Sequence, residues 1–410
     1  MISIKPFLAQ DFSCKCGNSK LVFDTIIWQG VFVCASYFCK KCNSKIVFSL
    51  PNNQGILSKF KLHIKNKKVY DYNNEDLIKN WDNEKINSIL NPINTDVTFD
   101  IEVREKFNDI IILNTLDFIY GHSLLQLLNL QRIIKLNKDI GIVLIVQPMM
   151  KWLIPSEGIA EVWTVKLGFS KLYHYYPELS NKINFEINKF KNVYLSAGYV
   201  IPTNENIKIE NFTKIKPYDF STPPKEPRVT FIWREDPGRV MVRCIYLVKF
   251  FQKIGFKRIL LPLQYIKIII LFYLLKKKLG SNYQFTVSGL GSYGKMPSFI
   301  HDKRVENFNG NTESELCKLY AESALVFGVH GSSMLLPSAH AGMTISLMPS
   351  KRWGNYQEDI LLVEEDPRLA LFQKRILPLN LSIFDIRDII IDMICSRNYF
   401  VKKFMHLDDL

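Results

Sequence analysis

The stretch A-L-V-F-G-V-H-G-S-S-M-L-L-P-S-A-H-A-G-M-T-I-S-L-M, running from Ala324 to Met348, decides how this chain is read. Ala324 to Val329 is a short apolar run, His330-Gly331-Ser332-Ser333 is a turn, an apolar segment continues to Gly342, and Thr344 to Met348 is a second run. That order predicts strand, tight turn, helix, strand. Ser332 or Ser333 is placed to cap the helix, Gly331 lets backbone pass close to a ligand, and Gly342 stands where a C-cap glycine belongs. Unpaired N–H groups and the positive end of the helix dipole favour an anion there, each charge by about 0.3–1 kcal/mol. A phosphate is the expected guest. Most strand-turn-helix units bind nothing, and what sets this one apart is His330 beside two hydroxyls in one turn.

With 410 residues, 47% of them hydrophobic, the chain can bury large cores, and its length predicts two or three domains. The longest apolar run, Ile268 to Leu275, is too short to span a bilayer and is followed by Lys276-Lys277-Lys278, so it reads as a helix against a sheet. Met1 to Gln10 lacks the sustained apolar region of a secretory signal, and the expected location is the cytoplasm. A net charge of +14 suits a nucleic acid, an anionic membrane surface or acidic substrates. An AT-rich genome yields the same excess of Lys, Ile and Asn, which weakens charge as a clue.

The eight cysteines are unevenly spread, with Cys14, Cys16, Cys34, Cys39 and Cys42 near the N-terminus. Cys14-Lys15-Cys16-Gly17 and Cys39-Lys40-Lys41-Cys42 are two chelating turns around a β-rich segment, the layout of a zinc ribbon over residues 1–50. Four thiolates, Cys14, Cys16, Cys39 and Cys42, then make a closed structural zinc site with no position open to substrate. The first knuckle is C-x-C rather than C-x-x-C, and Cys34 stands as a spare or substitute ligand. A disulfide framework competes, disfavoured by a cytoplasmic setting.

Residues 51–108 are polar and rich in Asn and Lys, and read as a connector with an amphipathic helix over Glu75 to Ile89. A first α/β domain over 109–205 is expected from strands at Ile110 to Leu113, Ile142 to Val146, Glu161 to Val165 and Val193 to Ser196. One helix is expected through Leu124 to Ile134 and another near Glu178 to Phe190. A linker over 206–227 contains Ser221-Thr222-Pro223-Pro224. The second domain, 228–380, offers strands at Val229 to Trp233, Arg258 to Leu263, Gln284 to Val287 and Arg304 to Phe308. Its helices are Val240 to Ile254, Ile266 to Lys278 and Thr312 to Ser323, the last opened by a Thr312-Glu313-Ser314-Glu315 capping box. Residues 381–410 supply a final helix, Ile383 to Arg397, expected to pack back across the domain junction.

Ligands of open α/β sheets bind at the carboxyl edge. Asp117 and His122 lie in the loop after the first strand of the first domain, and either is a candidate general base; capping or packing is the alternative for His122. Arg234 and Arg239 follow the first strand of the second domain and suit bidentate capture of a diphosphate, against surface pairing with Glu235 and Asp236. Gly289-Leu290-Gly291-Ser292-Tyr293-Gly294 matches the dinucleotide fingerprint, but Met296-Pro297 interrupts any helix there. It reads as a loop whose Lys295 reaches a phosphate. Lys351 to Asp359 is a polar loop in which Glu358 or Asp359 receives ribose hydroxyls and Trp353 or Tyr356 stacks on a base, unless the loop is simply solvated.

Two α/β domains facing across a cleft, with phosphate-binding turns in the second, resemble the GT-B glycosyltransferases. The turn Val329-His330-Gly331 is similar to the H-G-A-G-L turn of glycosyltransferase family 61, with Ser332-Ser333-Met334 standing in place of A-G-L. The resemblance covers about the second half of the chain at pattern level. It implies two Rossmann-like domains behind the zinc ribbon, the first binding an acceptor hydroxyl and the second a nucleoside-diphosphate sugar. His122, or else Asp117, takes the acceptor proton, while Arg234, His330 to Ser333 and Lys295 steady the departing diphosphate. No D-x-D motif occurs, in keeping with transfer that needs no catalytic metal. The acceptor is a glycan, a lipid-linked sugar or a protein, with peripheral contact to an anionic membrane and no nucleic acid. The competing readings are a zinc-ribbon nucleic-acid-binding protein, and a sugar-nucleotide epimerase or silent scaffold on the same fold.

Overall fold

The computed structural model describes residues 1–8, 12–30, 32–53, 60–71, 79–198, 208–236, 240–241, 260–355, 361, 366, 368 and 373–404. The chain divides into two compact units, Met1–Ile201 and Pro202–Leu410, each with its own core. Both are mixed α/β.

In the first unit the elements are β1 (Ile2–Lys5), β2 (Val22–Gln29), β3 (Phe32–Cys39), β4 (Ser44–Ser49), β5 (Phe60–His63), β6 (Lys68–Asp71), α1 (Lys79–Leu90), β7 (Phe99–Val103), β8 (Asp109–Asn114), α2 (Tyr120–Leu128), α3 (Leu130–Leu136), β9 (Gly141–Val146), β10 (Ile159–Val165), α4 (Pro177–Ile187) and β11 (Asn192–Leu195). Two sheets form. Strands β2 to β6 make an antiparallel meander. The other sheet runs β1-β11-β8-β9-β10-β7, with four parallel strands inside and antiparallel β1 and β7 at its edges. The central strands are unbroken apolar runs, such as Gly-Ile-Val-Leu-Ile-Val in β9, buried at every residue because both faces of a parallel sheet are covered. The stretch 51–108, expected as a connector, thus supplies two strands to the meander and β7 to the parallel sheet. Its expected helix begins at Lys79 within the described residues. Residues Ile2–Lys5, expected within the ribbon, pair with β11 instead. The single helix expected through Leu124 to Ile134 is two helices that meet at Asn129, whose side chain donates to the Leu125 carbonyl at 3.0 Å.

The second unit contains α5 (Ile209–Thr213), β12 (Arg228–Trp233), α6 (Leu261–Leu279), β13 (Gln284–Leu290), β14 (Ile300–Val305), α7 (Gly310–Ala321), β15 (Ser323–Val329), α8 (Leu335–His340), β16 (Met343–Met348), β17 (Lys374–Pro378) and α9 (Ile383–Phe404). Its sheet is wholly parallel, in the order β14-β13-β12-β15-β16-β17. Counted from β12, that is 3-2-1-4-5-6, the order of doubly wound nucleotide-binding sheets, and the direction of winding reverses between β12 and β15. Pro262 opens α6 and Gly280, at φ +83°, ends it. Leu261 to Leu263, expected as the end of a strand, form the first turn of that helix. The expected strand over Arg304 to Phe308 lies earlier, at Ile300–Val305, and nine residues join it to β13 without a helix. The capping box of α7 is built by Asn309 and Thr312, three residues before the expected one: the Thr312 amide donates to Asn309 Oδ1 at 3.0 Å and the Asn309 amide to Thr312 Oγ1 at 2.9 Å. On α9, Ile386, Ile390 and Met393 are buried in the core of this unit. Most of the expected helix Val240 to Ile254 lies outside the described residues, as do Arg239, Tyr356, Glu358 and Asp359.

Candidate functional site

The two chelating turns meet. The loop before β2 brings Cys14 and Cys16 to Cys39, the last residue of β3, and Cys42 in the turn to β4. Gly17, at φ +80°, closes the first knuckle with its amide on the Cys14 carbonyl at 3.0 Å. The Sγ atoms of Cys14 and Cys42 are 3.5 Å apart, those of Cys16 and Cys39 3.6 Å, and all four lie within 4.8 Å of one another. A tetrahedral ion with metal–sulfur bonds of about 2.3 Å spaces its sulfurs about 3.8 Å apart, so the cluster fits such an ion. Asn18 Nδ2 donates to Cys39 Sγ at 3.4 Å, the outer contact that fixes a ligand's direction. Burial pushes the Cys14 thiol up to about 12. Burial also works against ionising Cys39, but the donors from Asn18 and from the second knuckle bring it down to about 6. Cys34 belongs elsewhere: five residues from Cys39 on one strand, it faces the opposite side of the meander and packs with Phe32, Phe60 and Ile86.

In the parallel sheet of the same unit, the winding reverses between β8 and β11. The loop leaving β8 holds Asp117, fully buried, whose Oδ2 is 3.0 Å from His122 Nδ1 in the first turn of α2. Asp117 Oδ1 accepts the Ile119 amide at 2.8 Å, so the carboxylate holds both the loop and the ring. Accepting from Nδ1–H, it makes Nε2 the basic nitrogen of the imidazole, which is about a quarter exposed. The two candidate bases are therefore one pair. Beside them the strand ends are bridged by residues that sequence reading did not single out. Asn53 donates from Nδ2 to the Asn114 carbonyl at 2.9 Å and from its amide to the Ala197 carbonyl, and Asn114 Nδ2 donates to the Gly30 carbonyl at 2.7 Å.

In the second unit, Arg234 to Asp236 leave β12 and His330 to Ser333 leave β15, the two strands at the reversal. Gly331 has φ +138°, in the range that glycine tolerates best, and Gly328 has space for Met334 Sδ where a Cβ would be only 2.8 Å away. Ser332–Met334 form a single 3-10 turn before α8, and neither serine caps it through its side chain. The His330 side chain is buried and its amide donates to the Leu347 carbonyl at 2.9 Å. The Arg234 guanidinium donates from Nε to Asp236 Oδ2 at 2.7 Å and a second time from Nη2, so the ion pair weighed against the ligand role is formed.

The Gly289 to Gly294 loop is tied from both sides. One carboxylate oxygen of Glu235 accepts the amides of Ser292 and Tyr293, both at 2.8 Å, and Trp233 Nε1 at 3.2 Å. Arg304, 5.0 Å above the Trp233 ring, donates to the Tyr293 and Gly294 carbonyls at 2.6 Å each and to both oxygens of Asp302. Burial alone would raise the Asp302 carboxyl, but the Arg304 bonds hold it below its ordinary value. These two anchors come from other strands, and only the adjacency of Glu235 to Arg234 hinted at either. Lys295 lines a cavity of about 480 Å³ with Gly291, Ser292, Asp302, Arg304 and Glu306.

No family model matches the chain, and neither does any curated protein or solved structure.

One further buried group lies in this unit. His340 Nδ1 is 2.8 Å from the Leu336 carbonyl and Nε2 is 2.9 Å from Thr213 Oγ1. Burial pushes its pKa down to about 4, so the ring stays neutral near pH 7 and ties α8 to α5.

Proposed function

We propose that the protein is a glycosyltransferase of the GT-B kind, moving a sugar from a nucleoside diphosphate to a hydroxyl of a glycan, lipid-linked or protein acceptor. The observation that carries this is the 3-2-1-4-5-6 parallel sheet of the second unit, with Arg234 and the His330 to Ser333 turn leaving its two strands at the reversal. Crevices of that kind take nucleotides. The Asp117–His122 pair in the first unit supplies the base. In the proposed reaction His122 Nε2 takes the acceptor's hydroxyl proton, the acceptor oxygen bonds to the anomeric carbon, and the bond from that carbon to the diphosphate breaks. The diphosphate leaves with the electron pair, and the cations and N–H groups of the second unit hold its charge. The four cysteines hold zinc: a closed set of thiolates suits a structural ion and leaves no position for a substrate.

The test is a thermal-shift panel of UDP, GDP, CDP, ADP and dTDP, because a ligand of the folded state raises its melting temperature. One nucleotide is expected to stabilise the wild type, less so Arg234→Ala. Asp236→Ala, which releases the guanidinium, should keep or enlarge the shift. With a donor of that nucleotide, His122→Ala should turn over about 10²–10⁴-fold more slowly. A silent panel together with steeply salt-dependent binding to unrelated DNA or RNA would replace this reading with that of a zinc-ribbon nucleic-acid-binding protein.

A further inference from the structure

Helix α6 is apolar on two opposite faces. Leu261, Gln264, Ile268, Leu271, Phe272 and Leu275 are buried, and at 3.6 residues per turn they fill an arc of about 100°. Leu263, Ile266, Ile270 and Tyr273 are 46%, 51%, 40% and 49% exposed. They fall within about 80° on the other side of the helix. A crossover helix needs one apolar stripe to cover its sheet, and its outer face is ordinarily polar. The second stripe serves nothing in the sheet beneath it.

Charge says what it meets. The helix contains no acidic residue, and its only charged side chains are Lys267, Lys276, Lys277 and Lys278. Lys277 lies within the outer stripe, its ammonium 4.7 Å from the Tyr273 ring centroid. By helical position Lys267 and Lys278 flank the stripe on one side and Lys276 on the other. Among the described residues no helix is long and apolar enough to cross a membrane. Lys267 donates to the Met241 carbonyl at 3.3 Å and Lys278 lies near Asp388 of α9, which leaves Lys276 and Lys277 as the cations nearest the stripe. An apolar stripe on a helix with cations and no acidic residue fits a bilayer's anionic surface: the aliphatic side chains enter the acyl boundary, and lysine stems extend so that their ammonium groups reach the headgroups. We propose that the outer face of α6 docks the protein on an anionic lipid surface, the helix lying in the plane of the headgroups. This does not rest on the transferase reading, and its test measures lipid binding rather than turnover.

The test is co-sedimentation of the full chain with vesicles of phosphatidylcholine alone and with about a third phosphatidylglycerol. The wild type should pellet with the second and not the first. Ile266→Ser/Ile270→Ser should weaken partitioning on the order of tenfold, and Lys276→Gln/Lys277→Gln/Lys278→Gln on the order of a hundredfold. Phe185→Ser, which removes an even more exposed apolar side chain in the first unit, should change nothing. All these positions are exposed, and circular-dichroism melts verify folding; should the Ile pair misfold, the Lys triple still decides. Equal pelleting with both vesicles, or wild-type partitioning by the folded variants, overturns the proposal. So does a wild-type dimer in sedimentation equilibrium that the Ile pair turns into monomer, because a second copy would then own the stripe.

Discussion

The two parallel sheets wind alike and finish differently at the point where winding reverses. In the first unit the carboxyl ends of β8 and β11 are laced together by Asn53, a residue of the segment between β4 and β5, and Asn114 reaches back to the turn between β2 and β3. In the second unit the described residues that leave β12 and β15 are Arg234 to Asp236 and His330 to Ser333. Glu235, just past β12, ties down the neighbouring glycine loop. One sheet end is thus closed by the protein's own amides with an Asp–His pair beside it. At the other, the amides of Ser292 and Tyr293 in the glycine loop are already taken by a carboxylate, so under the proposed function a phosphate would draw its donors from Gly331 to Ser333 and from Arg234. A like reversal of winding has yielded two unlike sheet ends.

The largest effect that separates the units comes from the thiolates. Cys14 and Cys39 are buried in the same core cluster as Ile110, Val143 and Trp163 of the parallel sheet, so the cysteine cluster and that sheet share one interior. Structural zinc in small peptides contributes roughly 10–16 kcal/mol to folding. Cys39→Ser should abolish the single equivalent of bound metal, measured by elemental analysis, and lower the melting of the first unit by more than about 10 °C. The second unit has a separate core and should melt as in the wild type. A variant that keeps its metal, or loses it with both units unmoved, breaks the assignment.

A smaller effect belongs to the second unit alone. His340 has a folded pKa of about 4 against an ordinary 6.5, so between those values the unfolded chain binds more protons than the folded one. Its contribution is complete above about pH 6.5 and is lost progressively as pH falls towards 4. Between about pH 7 and 5 this amounts to about 2 kcal/mol. Urea midpoints across that range should fall in the wild type and flatten in His340→Gln. Asp219, held down to about 2 by Ser221 and Thr222, loses its contribution only below the ordinary carboxylate range and leaves this window clear. An unchanged slope in the variant would assign the acid sensitivity to another group.

How much of this was legible in the sequence follows from where each signal resides. Strands β8, β9, β12, β15 and β16 are mostly apolar and buried on both faces, and their local pattern is sufficient. Strands β5, β6 and β7 are four or five residues long and each carries at least one charged side chain, so a Lys- and Asn-rich stretch conceals them. β14 reads Ile-His-Asp-Lys-Arg-Val, apolar only at its ends because it forms the edge of its sheet. The cysteine spacing foretold the cluster, since chelating turns are local. The Asp117–His122 pair was half visible as two candidates in one loop. Glu235 on the glycine loop, Arg304 above Trp233 and Asn53 between two strand ends were not visible, because each joins segments that only the sheet order brings together.

The smallest prediction tests the lacing itself. Asn53 sits at φ +47°, a left-handed conformation that asparagine tolerates better than most residues, and its amide closes the gap between β8 and β11. Asn53→Ala leaves the Asn114 carbonyl without this donor in a buried place, at a cost of about 1–3 kcal/mol, and puts at positive φ a residue that tolerates it less well than asparagine. Asn53→Gly loses the same hydrogen bond but relaxes the backbone, so it should be the milder variant by about 1 kcal/mol. Urea midpoints of the first unit read both, and their difference separates side chain from backbone. Neither should alter a nucleotide-dependent thermal shift if the nucleotide binds in the second unit. Two variants that unfold at the wild-type midpoint would show that the strand ends hold without the amide. A nucleotide shift lost in both would move the ligand to the first unit and reverse the comparison.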